Sequence, residues 1–390
     1  MSFDQKKIAV FLDGPIKNDG RVRRVIESLS EKHIVHLFYI NGDESDKDLF
    51  NQSVTLHSRK KTGGWMKINL LFHLRFSELK EIFLSLNDEF DFIYCNDYPL
   101  LHLCTELKAK TKAKLIYDSH EIYIETINQF FPLIGWKSIY GNFLVALNKK
   151  IHAKVERNAV KKVDLMITVC DSFKDYFTSK LSISNIHVVK NCPKQIEVNR
   201  NPLLLREMLK LTDHDKILLY QGDINISRGI EKIANSMKYI NKDVHFVVLG
   251  GGTKLNEFKV KYSSDRIHFL GKVPFEVLYE YTTSCDVGIL LIESFNLSKQ
   301  LTLPNKVFEY MVAGKPFITN ELPEASKIVE EENCGFVIND TSRDSTANGI
   351  NSAFENSSLE QLGENGYQSI VDKYNWESEV KKLIEYVDAN

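Results

Sequence analysis

The sequence has no uninterrupted apolar run of membrane length and no apolar region of the signal-peptide kind near its first residues. Met1-Ser2-Phe3-Asp4-Gln5-Lys6-Lys7 passes straight into the strand-like Ile8–Leu12, so the expected location is the cytoplasm. Its six cysteines, at 95, 104, 170, 192, 285 and 334, are scattered and form no Cys-x-x-Cys pair. They read as small core residues in a reducing compartment, where a sequon such as Asn225-Ile226-Ser227 carries no meaning. Zinc-ligand spacings, a Walker loop, a Gly-x-Ser-x-Gly elbow and an RNA-binding signature are missing. Neither Leu12-Asp13-Gly14-Pro15 nor the later glycine turns spell the G-x-G-x-x-G of a dinucleotide fold, which argues against a dehydrogenase. One-sided charge is also missing: a net charge of −2 excludes a wholesale polyanion binder. No short-period repeat and no low-complexity tract interrupts the chain.

What is present is alternation. Short β-rich runs recur with helical patterns between them: Ile8–Leu12, Ile34–Tyr39, Phe92–Cys95, Leu115–Asp118, Leu165–Val169 and His187–Val189, then Ile217–Gln221, His245–Leu249, Ile267–Leu270, Val287–Leu291, Pro316–Thr319 and Phe336–Ile338. Most are continuously apolar, as parallel strands covered on both faces are. At 390 residues, with 43% hydrophobic and 26% charged content, the chain is long enough for two soluble domains. The polar, proline-marked stretch from Asn191-Cys192-Pro193 to Asn201-Pro202 is the expected linker. The expected architecture is α/β: two doubly wound domains whose strand C-termini face each other across a cleft.

The most informative segment is Leu303-Pro304-Asn305-Lys306-Val307-Phe308-Glu309, continuing to Gly314-Lys315-Pro316. Pro304 suits the first position of a helix, which leaves Asn305 and Lys306 in a first turn whose free N–H groups favour a phosphate. Glu309, one turn on, offers a carboxylate to a pair of ribose hydroxyls. An ordinary amphipathic helix would account for Phe308, Met311 and Val312 just as well. Gln221-Gly222-Asp223 closes one strand, and Arg228 can place a guanidinium fork on phosphate oxygens or remain a solvated turn residue. Gly250-Gly251-Gly252 closes the next strand and permits close approach of a ligand.

In the first half, Asp118-Ser119-His120-Glu121 ends a strand, and a histidine flanked by acids there is a site candidate. The polar loop from Gly14 through Asn18, Asp19 and Arg21 to Arg24 either grips an acceptor or caps the helix that follows. Two stretches interleave basic and aromatic residues: Arg59-Lys60-Lys61 through Trp65, Lys67, Phe72, Arg75 and Phe76, and Phe130-Phe131 through Trp136 into a lysine-rich helix. Solvated helix faces or docking on anionic lipid headgroups would each explain them.

Taken in order, Gln221-Gly222, Arg228-Gly229, Leu249-Gly250-Gly251-Gly252, Phe269-Leu270-Gly271-Lys272-Val273-Pro274, Cys285-Asp286-Val287-Gly288 and the Pro304–Pro316 segment resemble glycosyltransferase family 4, of the GT-B fold. Asp19-x-Arg21-Val22, Asp118-Ser119-His120-Glu121 and the tail Tyr374-Asn375-Trp376-Glu377 extend the resemblance over the chain. It implies transfer of a sugar from a nucleoside diphosphate sugar to a glycan or lipid-linked acceptor, with retention, and with neither bound metal nor other cofactor. It also implies an acceptor-binding domain over 1–195 completed by a helix at 376–390, and a donor-binding domain over 196–375.

The same resemblance assigns residues. Glu309 becomes the ribose-binding acid, Asn305 and Lys306 the diphosphate-binding helix start, and Gly222, Gly250 and Gly251 the turns around the nucleotide. Arg228 stands where the family usually carries a diphosphate-binding lysine. His120 is implied near the donor sugar, so His120, Arg228 and Glu309 form the expected catalytic set, with Gly14, Asn18, Asp19 and Arg21 on the acceptor side. Two positions depart from the family: Asp223 replaces an arginine, and Leu301 replaces the acid eight residues before Glu309 that contacts the donor sugar. Surface polysaccharide or glycolipid synthesis at the inner face of a membrane is the implied setting. A GT-B sugar-nucleotide epimerase and a catalytically silent GT-B binding subunit are the rival readings.

Overall fold

The computed structural model describes residues 5–60, 76–127, 137–195, 198–199, 201–293 and 296–390. The chain divides into two compact units, residues 1–191 with 380–390, and residues 192–379.

The first unit is built on strands β1 (Lys7–Leu12), β2 (Ile34–Ile40), β3 (Val54–Arg59), β4 (Phe92–Asn96), β5 (Lys114–Ser119), β6 (Leu165–Thr168) and β7 (Ile186–Val188). They pair in the order β3-β2-β1-β4-β5-β6-β7, every pair parallel. The order reverses between β1 and β4, which opens a crevice beyond their C-terminal ends. β3 was not expected from sequence. Its side chains are half-buried or exposed, as on an edge strand, so it lacks the apolar run that marks the others.

The second unit carries β8 (Lys216–Gln221), β9 (Val244–Leu249), β10 (Ile267–Gly271), β11 (Val287–Leu290), β12 (Phe317–Asn320) and β13 (Gly335–Ile338), in the parallel order β10-β9-β8-β11-β12-β13. Its switch point lies between β8 and β11. One face of this sheet packs Leu218, Tyr220, Phe246, Val248 and Ile289 into a core that includes Ile230 and Ile350. Burying such side chains contributes about 1.5–3 kcal/mol each, which is why the two doubly wound sheets form.

The helix Trp376–Asp388 ends in the first unit, where Asp388 meets Lys32 and His33, each at 3.0 Å. All six cysteines are buried and free. Among the described residues no helix is long and apolar enough to cross a membrane.

Most of the first basic-aromatic stretch, Lys61–Arg75, and all of Phe130–Trp136 lie outside the described residues. Phe76 does not belong to any docking face: it is buried, 1% exposed. The lysine-rich helix is Lys137–Val160.

Candidate functional site

Two clusters form at strand C-termini, one in each unit. In the second unit, β8 ends on Gln221 and turns at Gly222, whose φ of +121° is strained for any other residue. A Cβ there would also meet Lys306 Cε at 2.4 Å, so glycine leaves the space that the lysine stem occupies. After β9 the turn at Gly250 interlocks with it: a Cβ on Gly250 would stand 1.9 Å from the Gly222 carbonyl oxygen. Backbone bonds fix the two turns together, Gly222 donating to Leu249 O at 2.8 Å and Ile224 to Gly251 O at 2.8 Å. Beneath them opens a cavity of about 490 Å³ walled by Gly222, Gly250, Gly251, Lys272, Val273 and Glu309, among others.

Glu309 reaches this cavity from the helix Asn305–Val312. Pro304 is the residue that caps this helix, not its first residue, and no side chain caps the first turn. Within that turn the Val307 N–H donates to Pro304 O at 3.1 Å. Asn305 is exposed at this end, and neither it, Lys306 nor Arg228 lines the cavity itself.

Lys306 lies half-buried, its Nζ 5.4 Å from the centre of the Tyr220 ring. Burial, aided by the Arg228 charge, pushes its ammonium from 10.5 down to about 8, against the pull of Glu309 and Asp223. Arg228 comes from the short turn Ile226–Arg228, and its Nε is buried with no hydrogen-bond partner. A buried donor left unmade costs about 1–3 kcal/mol. Asp223 is exposed and accepts from Asn225 Nδ2 at 3.1 Å, while Asn225 in turn accepts from Thr253 Oγ1 at 2.9 Å.

Expected residues thus converge in part. Gly222, Gly250, Gly251 and Glu309 share the cavity, and Lys306, near enough to Arg228 to feel its charge, packs its stem against the Gly222 turn. Sequence reasoning passed over Lys272, Val273 and Leu278 as lining residues, and over the inward side chains of Gln221 and Thr282. Only the turn after β10, within Phe269–Pro274, held a signal for the first two.

In the first unit His120 follows β5 and lies between two carboxylates, its Nδ1 3.4 Å from Asp97 and its Nε2 3.3 Å from Asp118. Its backbone N–H also donates to Asp97 Oδ1 at 2.9 Å. Burial opposes charging the ring, but Asp97 and Asp118 more than reverse this and hold it well above the ordinary histidine value. The two carboxylates thus favour the charged form of the His120 ring. Asp97 is held at φ +66° and ψ 159°, a conformation that costs about 1–3 kcal/mol and collects at functional sites.

Arg21 corrects one expectation. It is 4% exposed, and its guanidinium grips Asp118 through Nε at 3.2 Å and Nη2 at 3.1 Å, with Nη1 on Val189 O at 2.8 Å. It is therefore not an acceptor contact: it supports Asp118, which in turn supports His120. Despite burial, Asp118 stays below the usual carboxylate range, because Arg21 and His120 flank it. Asp19 is likewise spent on the protein, its carboxylate accepting from Val22 N at 2.9 Å to cap the helix Gly20–Ser30. Gly14 and Asn18 remain accessible at the rim of this loop, with open space beside Gly14. Among the described residues no cluster of three or more His, Cys, Asp or Glu is arranged for a metal ion.

Residues 204–369 match the family described as glycosyl transferases group 1. No curated protein matches the sequence significantly. Among solved structures the chain is similar to sucrose-phosphate synthase from Thermosynechococcus elongatus, at 16% identity and TM-score 0.75 over 98% of each chain. It is similar to HepE of Anabaena in complex with UDP, at 15% identity and TM-score 0.74, over 98% of this chain and 100% of that one. WaaG, a glycosyltransferase involved in lipopolysaccharide biosynthesis, gives 15% identity and TM-score 0.69 over 96% and 98% of the two chains. The fold is GT-B.

Proposed function

We propose that this chain, a GT-B protein carrying the glycosyl transferases group 1 domain, moves a sugar from a nucleoside diphosphate sugar to a glycan or lipid-linked acceptor. The observation that carries the reading is the paired cation surface: Arg228 with an unpartnered buried Nε, beside a Lys306 whose ammonium is destabilised until an anion joins it. A diphosphate is such an anion, and the cavity next to it offers Glu309 to a ribose. HepE has been solved with UDP and with UDP-glucose, so UDP is the first nucleotide to try here.

In the proposed reaction, negative charge grows on the leaving diphosphate as the bond to the sugar breaks. Arg228, Lys306 and the positive end of the Asn305–Val312 helix stabilise it, being fixed in place before the reaction starts. This is how the reaction would run without a metal. His120, kept cationic by Asp97 and Asp118, serves the donor sugar, and the surface at Gly14 and Asn18 serves the acceptor. Retention of configuration belongs to this proposal through the family resemblance.

Glu309→Ala tests it. Losing a charge-assisted acceptor for two hydroxyls should weaken UDP by roughly tenfold to a hundredfold, about 1.5–3 kcal/mol, in calorimetry. Unchanged affinity in a folded variant would remove the ribose assignment. Incubation with donor alone separates the rivals: an epimerase turns over without acceptor, and a silent binding subunit binds nucleotide but transfers nothing.

A lipid-linked acceptor calls for contact with the inner face of a membrane, and one helix face supports this part of the proposal. On Lys137–Val160 and the residue after it, Phe143 (67% exposed) and Leu147 (43%) start a stripe that continues through Lys150, Lys154, Arg157 and Lys161. Their spacing keeps them on one side of the helix. Apolar side chains followed by cations match an anionic lipid surface. The polysaccharide or glycolipid setting is supported in the same spirit by the likeness to WaaG.

A further inference from the structure

We infer that Gln221 and Thr282 are positioning residues that fix the Glu309 carboxylate, and that through it they select nucleotides bearing both ribose hydroxyls. The inference rests on the reading of Glu309 as the ribose-binding acid.

Gln221 is 1% exposed at the end of β8, and its Nε2 donates to Glu309 Oε2 at 2.6 Å. Only the NH₂ edge of an amide can face a carboxylate, so its Oε1 must point the other way. There it lies 2.8 Å from Thr282 Oγ1, whose residue is fully buried. A carbonyl oxygen in that place needs a donor, and the Thr282 hydroxyl has one proton to give. The alternative acceptor for that proton is Leu278 O, at 2.9 Å. The three groups therefore form a one-way relay, from Thr282 O–H to Gln221 C=O and from Gln221 N–H to Glu309.

The backbones that carry the relay are already pinned. Tyr310, next to Glu309, donates from its buried hydroxyl toward Leu219 O at 2.9 Å, with Ile289 O at 3.2 Å. Leu219 lies two residues before Gln221 on the same strand. Helix and strand are thus in fixed register, and what remains free is the rotation of the Glu309 carboxylate. Gln221 removes that freedom. It does so as a neutral donor, so it adds no countercharge beside the carboxylate, as a lysine or arginine there would. It occupies part of Oε2 only, and the remaining lone pairs face the cavity that Gln221 and Glu309 both line. A vicinal diol supplies two donors to a carboxylate held this way, and a 2′-deoxyribose supplies one.

The test compares UDP with 2′-deoxy-UDP by calorimetry in the wild type, Gln221→Met, Thr282→Val and Thr282→Ser, with Glu309→Ala as reference. In the wild type UDP should bind about tenfold tighter than its deoxy analogue. Gln221→Met should weaken UDP by about tenfold, leave 2′-deoxy-UDP nearly unchanged and bring the ratio close to one, raising KM more than it lowers kcat. Thr282→Val should lower the ratio partway, and Thr282→Ser should restore it, which a packing role for the methyl group would not do. If Gln221→Met fails to fold, the Val and Ser pair at 282 decides by itself. A ratio that survives in Thr282→Val and Gln221→Met, but vanishes in Glu309→Ala, overturns the relay and keeps the ribose site. UDP bound normally by Glu309→Ala overturns the ribose site instead.

Discussion

Lys306 should make donor binding fall with rising pH, and the step can be worked out from its surroundings. In the free protein its ammonium titrates at about 8, because it is buried near Arg228. A nucleotide diphosphate placed against Lys306 and Arg228 reverses the imbalance and holds the proton on. The complex then binds more protons than the free protein above pH 8, so binding takes up a proton and weakens as pH rises. From pH 7 to pH 9 the charged fraction of such a group falls from about 0.9 to about 0.1, which weakens affinity about tenfold, about 1.4 kcal/mol. UDP-glucose is the suitable probe, since its diphosphate diester has no proton titrating in this range. Calorimetry at pH 8 in buffers of different ionisation enthalpy should show net uptake of about half a proton, rising toward one at higher pH.

Lys306→Met is the control. It keeps an unbranched stem for the space beside Gly222, and it should bind weakly at every pH with no step. His120 also holds a displaced proton, but it belongs to the other unit and is untouched by this variant. For stability the sign is opposite to that of a paired lysine. The folded free protein binds fewer protons here than the unfolded chain between about pH 8 and 10.5, so stability from this residue rises with pH across that window. Below pH 8 the full cost is present, and Lys306→Met should therefore melt higher than the wild type at pH 7 in the absence of nucleotide. Affinity that stays flat from pH 7 to 9, or a step that persists in Lys306→Met, would refute the placement of the diphosphate.

Three further outcomes follow from the site. Arg228→Ala should lower kcat at least as much as donor affinity, with partial recovery in Arg228→Lys; full activity in the alanine variant would reduce Arg228 to a turn residue. His120→Ala should lower turnover while leaving UDP affinity within about twofold in calorimetry, because the paired cations and Glu309 all lie in the second unit. Vesicle co-sedimentation should require anionic lipid, weaken with salt, and drop when Lys150, Lys154 and Lys161 become Glu, at about 1 kcal/mol for each cation near the surface. Equal recovery with neutral and anionic vesicles would point to a soluble acceptor.

Nearly all the sheet was legible before the structure, for one physical reason. A parallel strand buried on both faces is a short apolar run, and β8 is an example, with every residue after Lys216 buried. β3 has no such obligation, since an edge strand with exposed Thr55 and Arg59 buries too little to leave a mark. Half of the site was legible in the same way. Gly222 and Gly250 stand directly after strands, where only glycine tolerates the turn, and Glu309 stands one helical turn inside a proline-led helix.

The rest depended on partners that one-dimensional spacing cannot name. Arg21 follows a polar loop in the sequence and looks like a residue for solvent or substrate, yet it lies in the first turn of the helix Gly20–Ser30 and Asp118, 97 positions later, claims it. Gln221 ends a strand with its side chain free to point either way, and Glu309, 88 positions later, decides the direction. The two cases share a logic. A strand end or a helix start presents a polar side chain, and the residue facing it from a distant strand or helix determines whether it touches ligand or holds the residue that does. Arg21 and Gln221 are claimed by carboxylates, while the Nε of Arg228 stays unpartnered, which is why the proposal gives the diphosphate to Arg228. An unsatisfied buried donor on a cation is thus the sharper guide to the ligand here than any motif. It also orders the experiments, because Arg228 and Lys306 should respond to the diphosphate itself and Gln221 only to the sugar attached to it.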